Sequence, residues 1–375
     1  MSIFQNGLWT CGFDFLATAS GSSAFNAAGV FDVVGTTGGS PWSCGPSFAQ
    51  FSLGKGIQIQ NQGWIGKFFN VNLKTVYGGW GFNATVAPVG SNINAVFTLY
   101  ESGGGNNLIT LGYNAQGQFG WYKTNSGGLG PNSGSVSSSN LVGSLSPAGT
   151  VKFNSYNQLE FLVTIDATSG VLALNFNRAN VINFTGNTLT TGVNAFVNQI
   201  YFGANSTSAV NWFDNMYLLD NTGNAPLNTF LGNWRVDTAG PNADSATGGL
   251  NAWAFTTPQG TDWGNAANIP PVAADFNSSA TVGQRMSFRY PNINTSKVLA
   301  LNAWMQVEQD AAGTRTVLPI YRSNAVDQNG TVINLPTSLT YFTQNSVIDP
   351  NTGQPWASGS VAAAQACEIG LSVNS

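Results

Sequence analysis

The feature that most constrains the fold of this chain is a two-residue alternation of apolar and polar side chains between residues 159 and 176. The apolar positions are Leu159, Phe161, Val163 and Ile165 in a first run and Leu172, Leu174 and Phe176 in a second. A period of two places alternate side chains on opposite faces of an extended chain, so each run predicts a half-buried β-strand. The short segment Ala167–Gly170 separates the runs and predicts a β-hairpin.

Similar short runs recur along the first two thirds of the sequence. They lie at Ile57–Gln60, Trp64–Val71, Gly81–Pro88, Ala95–Glu101, Leu108–Tyr113, Gln118–Lys123, Gln199–Gly203 and Val210–Leu219. The chain contains 45 glycines, which interrupt nearly every window that could start a helix. We therefore predict an all-β fold of two packed antiparallel sheets, with Trp42, Trp64, Trp80, Trp121 and Trp212 available for the core or a cleft.

The polar, turn-rich stretch Asp220–Asn228 follows an apolar run and predicts a domain boundary. We place the first domain at residues 1–222 and a smaller β-sandwich at residues 223–375. Within the second domain, alternation at 299–307 and 316–320 predicts strands, and Asn329-Gly330 predicts a tight hairpin turn.

Charge and residue chemistry exclude several functions. The chain has no histidine, and only 7% of its residues are charged, with a net charge of −4. A catalytic serine or cysteine activated by histidine is therefore excluded, and so is a metal site with imidazole ligands. No cluster of basic residues indicates binding to nucleic acid. No apolar run is long enough to cross a membrane, and Met1–Phe15 lacks the basic residues of a Sec-type signal peptide. No cofactor is expected.

Acidic residues are too scattered to predict catalysis. Glu160 and Asp166 share a strand face but stand about 20 Å apart by the strand rise, so we expect them to be solvent-facing groups rather than a catalytic pair. Asp214 and Asp220 flank a strand, where hydrogen bonding at the strand ends is favoured over calcium ligation. The chain is predicted to be neither an enzyme nor a metalloprotein.

The three cysteines, Cys11, Cys44 and Cys367, form no zinc motif and no disulfide framework. We expect buried thiols, which leaves a bridge between Cys11 and Cys44 open.

One segment differs from the rest: residues 124–140 consist almost entirely of Gly, Ser and Asn and predict a long exposed loop. Aromatic and amide side chains recognise sugars or protein neighbours without charge. The predicted glycan or subunit contacts are Trp121, Tyr122, Asn125, Asn132 and Asn140.

Several segments resemble virion structural proteins of tailed bacteriophages. They are Leu8–Asp14, Gly54–Ile59, Asn211–Asp237, Ala312–Arg315 and Ala364–Val373. The resemblance implies a concanavalin-like, laminin-G-like jelly-roll followed by a smaller β domain. Asn215 and Asn233 stand where the family pattern leads us to expect acids, which argues against a family calcium site.

These observations lead to three hypotheses. The first is a non-enzymatic virion surface protein, such as a capsid decoration, head fibre or tail appendage. It would be assembled in the host cytoplasm, contact other virion proteins, form a homo-oligomer such as a trimer, and contribute to host-surface attachment. The alternative is a lectin-like, glycan-binding host-adhesion module. The third is a glycan-cleaving enzyme, which would need distant acids to converge in space.

Overall fold

The computed structural model describes residues 7–13, 19–20, 31–35, 42–49, 54–102, 106–123, 136–205, 209–246, 250–256, 260–269, 271–310 and 313–375. The chain divides into two compact units, Met1–Val236 and Asp237–Ser375. The sequence predicts a boundary after residue 222, fourteen residues before the division between these units. The segment 223–236 belongs to the first unit because Trp234 packs against Tyr217 and its indole N–H donates to the Asn215 carbonyl at 2.7 Å.

The strands of the first unit are short and follow one another along the chain. In its described part they are β1 (Leu8–Cys11), β2 (Ala19–Ser20), β3 (Val33–Gly35), β4 (Trp42–Gly45), β5 (Gly56–Gln60), β6 (Trp64–Leu73), β7 (Thr75–Ala84), β8 (Asn94–Glu101), β9 (Asn106–Tyr113), β10 (Phe119–Lys123), β11 (Leu141–Val142), β12 (Asn157–Thr164), β13 (Gly170–Phe176), β14 (Ala179–Gly186), β15 (Val197–Gly203) and β16 (Val210–Leu219). Single 3-10 turns lie at Pro46–Phe48 and Ser138–Asn140.

These strands form two antiparallel sheets. Sheet I has the order β14-β13-β12-β7-β16-β5-β4-β2, with β1 paired to β16, and sheet II has the order β11-β10-β9-β8-β15-β6-β3. Because non-consecutive strands are neighbours in both sheets, the chain crosses repeatedly between them, as in a jelly-roll. The predicted all-β fold is confirmed, and so is the hairpin of β12 and β13.

The core of the first unit lies between the two sheets and is unusually aromatic. Trp80 of sheet I is fully buried, and its ring centroid lies 5.0 Å from that of Phe97 and 4.9 Å from that of Phe202, both in sheet II. Phe161 lies 4.6 Å from Phe97. These contacts show which face of each sheet points inward, and the pleat places alternate side chains on the outer face.

The second unit is a smaller β unit with two short helices. Its described strands are β17 (Ala243–Asp244), β18 (Ala254–Phe255), β19 (Asn277–Ser278), β20 (Arg285–Arg289), β21 (Leu301–Val307), β22 (Thr316–Ser323), β23 (Val326–Asn329), β24 (Ile333–Asn334), β25 (Thr340–Ser346) and β26 (Glu368–Val373). The helices are α1 (Asp262–Ala266) and α2 (Val361–Gln365), and a 3-10 turn lies at Trp356–Ser358.

Sheet III of this unit has the order β17-β20-β26-β22-β23, with β24 paired to β22. The separate ribbon β21-β25 packs on it, because Met305 and Phe342 of the ribbon contact a buried cluster that includes Phe288, Val317 and Leu371 of sheet III. The two layers make the smaller β-sandwich that the sequence predicted.

The hairpin turn that the sequence placed at Asn329-Gly330 lies elsewhere. Ser323 pairs with Val326, so the turn between β22 and β23 consists of Asn324 and Ala325, which have φ angles of 45° and 66°. Two consecutive positive φ angles define the turn type that matches the strand twist. Asn329 instead ends β23.

All three cysteines are buried, and none forms a disulfide. The bridge between Cys11 and Cys44 that the sequence left open is therefore absent from this structure. No helix among the described residues is both long and apolar enough to span a membrane.

Candidate functional site

Two of the predicted contact residues are buried on opposite faces of sheet II. Trp121 is fully buried in the core, with its ring centroid 5.6 Å from that of Phe97. Tyr122, the next residue of β10, therefore lies on the outer face, where its side chain is only 1% exposed. In this structure neither side chain presents a free surface to a glycan.

The other predicted contacts lie in or beside the loop at 124–140. Asn125 and Asn132 lie outside the described residues. Asn140 ends the 3-10 turn Ser138–Asn140 and is half-buried, with its backbone N–H donating to the Ser137 carbonyl at 3.1 Å.

A row of hydroxyl-bearing side chains crosses the outer face of sheet II. Tyr122 pairs with Thr110, Thr110 with Thr98, and Thr98 with Tyr201. Directly opposed residues share a sheet face, so the four side chains form one line across β10, β9, β8 and β15. The Thr98 and Thr110 hydroxyls are 2.9 Å apart, and both threonines are buried. We refer to these four residues as the hydroxyl row.

One end of the row continues into a more accessible group of side chains. Trp64 and Phe68 lie on β6, and Gln199 lies on β15; all three are half-buried and lie on the same face as Tyr201. The Trp64 ring stands edge-on to Tyr201 at a centroid distance of 5.3 Å, and the Tyr201 hydroxyl donates to Gln199 Oε1 at 2.7 Å. We call Trp64, Phe68 and Gln199 the rim.

The small residues around the rim determine how its rings lie. Gly66 is opposite Tyr201, and a Cβ at Gly66 would lie 2.5 Å from the Tyr201 ring. The tyrosine ring therefore leans over the glycine and against Trp64. Tyr100, which pairs with Gln199, stands edge-on to Tyr201 at 5.6 Å and is almost fully buried.

The electrostatics of this face are those of neutral hydrogen-bonding groups. Neither the rim nor the hydroxyl row contains a charged side chain, and the neighbouring Lys67 and Asp32 pair with each other at 3.3 Å. Burial raises the pKa of Tyr201 above its ordinary value, and it raises the pKa of Tyr122 to about 12. Both phenols therefore stay protonated and act as hydrogen-bond donors at neutral pH.

Sequence reasoning named neither Phe68 nor Gln199 as a contact, and it assigned Trp64 only to a core or cleft. The signal was present in the alternation of Trp64, Gly66 and Phe68 along β6, which puts two aromatic side chains and a glycine on one face. The sequence of β6 alone does not show whether this face is the inner or the outer face of sheet II. The pairing of Gly66 with Tyr201 shows that it is the outer face.

Glu160 was predicted to face solvent, and this is wrong. It lies on the outer face of sheet I but is only 2% exposed, because residues 227–236 pack over it. The Tyr217 hydroxyl donates to Glu160 Oε1 at 2.7 Å, and the Gly232 N–H donates to the same oxygen at 2.9 Å. Burial raises the pKa of Glu160, and the groups that oppose this rise are Tyr217 and two peptide N–H groups, with no second carboxyl among them.

The remaining acids of the first unit that the sequence raised have local hydrogen bonds. Asp214 Oδ1 accepts from the Asn215 N–H at 2.7 Å, and Asp220 Oδ1 accepts from the Thr222 N–H at 2.9 Å. Asp166 forms a 2.7 Å ion pair with Lys74, which holds the pKa of its carboxyl well below the ordinary range. Within the described ranges, no three Asp, Glu, Cys or His side chains cluster as metal ligands.

Comparison with known proteins found no matching family and several solved structures of low similarity. No protein-family model matches the chain, and no curated protein matches it. Solved structures with some similarity to this chain include the alginate lyase Aly36B, at 15% identity over 57% of this chain and 96% of that chain, with a TM-score of 0.39. They also include the cellulose-induced protein Cip1, at 13% identity over 54% and 97% of the two chains, with a TM-score of 0.36.

A third is the catalytic domain of the glycoside hydrolase family 131 protein from Coprinopsis cinerea. It is 18% identical over 60% of this chain and 97% of that chain, with a TM-score of 0.35. At these identities and scores the similarity does not indicate a function for this chain.

Proposed function

We propose that this chain is a non-enzymatic surface protein of a bacteriophage virion and that its first unit binds an uncharged glycan at the rim. The rim supports the binding function, because the half-buried rings of Trp64 and Phe68 lie beside the Gln199 amide and the buried Tyr201. The virion assignment is supported by the resemblance of Leu8–Asp14 and Asn211–Asp237 to phage structural proteins.

The chemistry of the rim suits a sugar. Aromatic rings offer apolar faces to the C–H groups of a pyranose, while amides and hydroxyls exchange hydrogen bonds with its hydroxyl groups. The Tyr201 hydroxyl donates its hydrogen bond to Gln199 Oε1, which sets the orientation of the amide group. No described residue accepts a hydrogen bond from Gln199 Nε2. That amide group is therefore a donor for a ligand. The absence of charge from these side chains favours neutral over acidic sugars.

Catalysis is not part of this function. A glycosidase needs two carboxyl groups within reach of one bond. Glu160, the most buried acid on the outer face of sheet I, is held by Tyr217 and Gly232 beneath the segment 227–236. The rim itself contains no carboxyl group.

The test is glycan binding by the full chain and by Trp64→Ala. We expect the native chain to bind a subset of neutral glycans on an array, and Trp64→Ala to weaken that binding by roughly tenfold or more, as for an aromatic anchor. Val282→Ala is the control, because it shortens an apolar side chain that is 64% exposed in the other unit and lies outside both proposed contact surfaces. Equal binding by Trp64→Ala would remove the rim as the site.

Three further measurements test the separate parts of this proposal. Release of reducing ends from a bound glycan would contradict the non-enzymatic assignment. Absence of the chain from purified virions would contradict the virion assignment and leave glycan binding standing. A map of the intact particle would show whether the chain lies on the head or the tail.

A second candidate function is subunit assembly through the second unit. Phe255 on β18 and Phe276 immediately before β19 are 43% and 52% exposed, and these strands pair with each other. Phe255 is opposite Asn277, so the Phe255 and Phe276 side chains point to opposite faces of this ribbon, and each is a separate exposed aromatic side chain that a neighbouring subunit could cover. We propose a homo-oligomer, such as a trimer, together with contacts to other virion proteins. A monomeric mass in solution for the native chain, identical to that of Phe276→Ser, would exclude the oligomer.

A further inference from the structure

The second unit contains a buried carboxylate whose negative charge no described neighbour neutralises. Asp262, the first residue of α1, is only 5% exposed, and its Oδ1 has no hydrogen-bond donor. No hydrogen bond to either oxygen of this carboxylate and no ion pair is present among the described residues. Burying a carboxylate oxygen without a donor or a counter-charge is costly, and a bound cation would offset that cost.

A second carboxylate lies close by. Asp244 on β17 lies at the start of α1, next to the residue that carries the buried carboxylate. Asp244 Oδ1 accepts the N–H of Trp263 at 2.8 Å, which fixes this carboxylate at the start of α1. The nearby Arg289 side chain donates to the Asp244 carbonyl at 2.9 Å rather than to either carboxylate. Both carboxylates therefore lie at the start of α1, and among the described residues neither forms an ion pair with a basic side chain.

A third oxygen without a donor stands one turn further along α1. Asn265 is 4% exposed, and its Oδ1 has no hydrogen-bond donor. The amide cannot be turned round to avoid this, because its Nδ2 donates at 3.0 Å to two carbonyl oxygens, those of Thr256 and Phe276. Residues three apart share one face of a helix, so the free oxygens of Asp262 and Asn265 lie on the same side of α1.

We propose that Asp244, Asp262 and Asn265 bind a hard divalent cation of the calcium class. Oxygen ligands from carboxylates, amide carbonyls and water are those that calcium prefers, and it accepts irregular geometry. A cation at this position would neutralise the pair Asp244 and Asp262 and give the Asn265 oxygen a partner. The helix that carries two of the ligands begins at a Thr261 cap whose hydroxyl accepts the Gly264 N–H at 3.1 Å, so its position is set without the metal.

The test is calcium titration of the full chain after chelation, followed by calorimetry and thermal unfolding. We expect calcium to bind and to raise the unfolding temperature, and Asp262→Asn to weaken calcium affinity by about tenfold or more. Asp262→Asn keeps the shape of the side chain and removes its buried charge, so it should fold at least as well as the native chain in chelator. Asp310→Asn is the control, because that carboxylate is 71% exposed in the same unit.

Terbium provides a second measurement that does not depend on the folding of a variant. Trp263 adjoins Asp262, so bound terbium should emit when tryptophan is excited, and calcium should displace it; Trp263→Phe should reduce that emission. The absence of calcium heat and of displaceable terbium emission in the native chain would overturn the proposal. Equal calcium affinity in Asp262→Asn would overturn it as well, and a response to magnesium alone would exclude the calcium class.

Discussion

Tyr217 on β16 donates a 2.7 Å hydrogen bond to Glu160 on β12, and this bond passes over the strand β7 that lies between them. Gly79 of β7 is opposite both residues. A Cβ at Gly79 would lie 2.6 Å from both the Tyr217 ring and the Trp234 ring. The absence of a side chain at one position thus lets a tyrosine reach a carboxyl two strands away and lets residues 227–236 cover both.

Loss of the Tyr217 hydroxyl should destabilise the first unit. Tyr217→Phe leaves Glu160 buried with one hydrogen bond fewer, so we expect a loss of about 1–3 kcal/mol in the free energy of unfolding, measured with urea. Tyr77→Phe is the control, since the half-buried Tyr77 hydroxyl has no hydrogen bond among the described residues. Equal stability of the two variants would show that the Glu160 contact contributes nothing.

The Glu160 carboxyl should make stability depend on pH. Its pKa is raised in the folded protein above the ordinary value of 4.5, mainly by burial, so the folded state binds the proton more tightly than the unfolded state. The stability that this group contributes is present below the unfolded pKa and is lost as the pH rises through the folded pKa. Relative to Glu160→Gln, the native chain should therefore lose stability as the pH rises from 4.5 towards neutrality. A difference that stays constant or rises with pH would contradict this expectation.

The buried amide of Asn211 should be essential to the first unit. Asn211 Nδ2 donates to the carbonyls of Ala95 and Gly203 at 3.1 and 2.9 Å, and its Oδ1 accepts the Tyr113 hydroxyl at 2.9 Å. Asn211→Leu would leave the two carbonyls and the Tyr113 hydroxyl without this hydrogen-bond partner. We expect it to lower the free energy of unfolding, measured with urea, by about 3 kcal/mol or more. Tyr113→Phe removes one of these bonds and should cost less. A smaller cost for Asn211→Leu than for Tyr113→Phe would refute the network.

Close packing of sheet III should make Gly370 intolerant of a side chain. A Cβ on Gly370 of β26 would overlap the Met286 carbonyl oxygen of the neighbouring β20. Gly370→Ala should destabilise the second unit by about 1–3 kcal/mol and speed hydrogen exchange in β20 and β26. Gly359→Ala is the matched control, because its Cβ would lie no closer than 3.6 Å to the Trp356 carbonyl oxygen. Similar exchange in both variants would argue against the tight strand contact.

The Cys367 thiol should be inert in the folded protein. Burial raises its pKa to about 12, so hardly any thiolate forms at pH 8, and the side chain is only 3% exposed. Cys11 and Cys44 are also buried. We expect negligible labelling by a thiol reagent in buffer and reaction of all three cysteines in denaturant. Rapid labelling of native Cys11→Ser/Cys44→Ser would contradict the burial of Cys367.

Local pattern was sufficient for strands such as β12 and β13, because alternation depends only on which side chains prefer water. The same pattern wrongly predicted that Glu160 faces solvent, because the residues that bury it follow more than sixty positions later in the sequence. It also misplaced the turn after β22, because Asn324-Ala325 has no glycine, although asparagine accepts positive φ more readily than most residues.

The sequence by itself determined that this chain is all-β, nearly free of charge and without histidine chemistry, because residue type and short-range periodicity are properties of the chain alone. Tertiary structure decided which aromatic side chains became core and which became rim. Trp121 and Trp64 both lie in strands of sheet II, yet one faces Phe97 in the core and the other stands against Tyr201 on the outer face. That difference arises from strand pairing and from the face each sheet turns inward, which are set by contacts between residues distant in sequence.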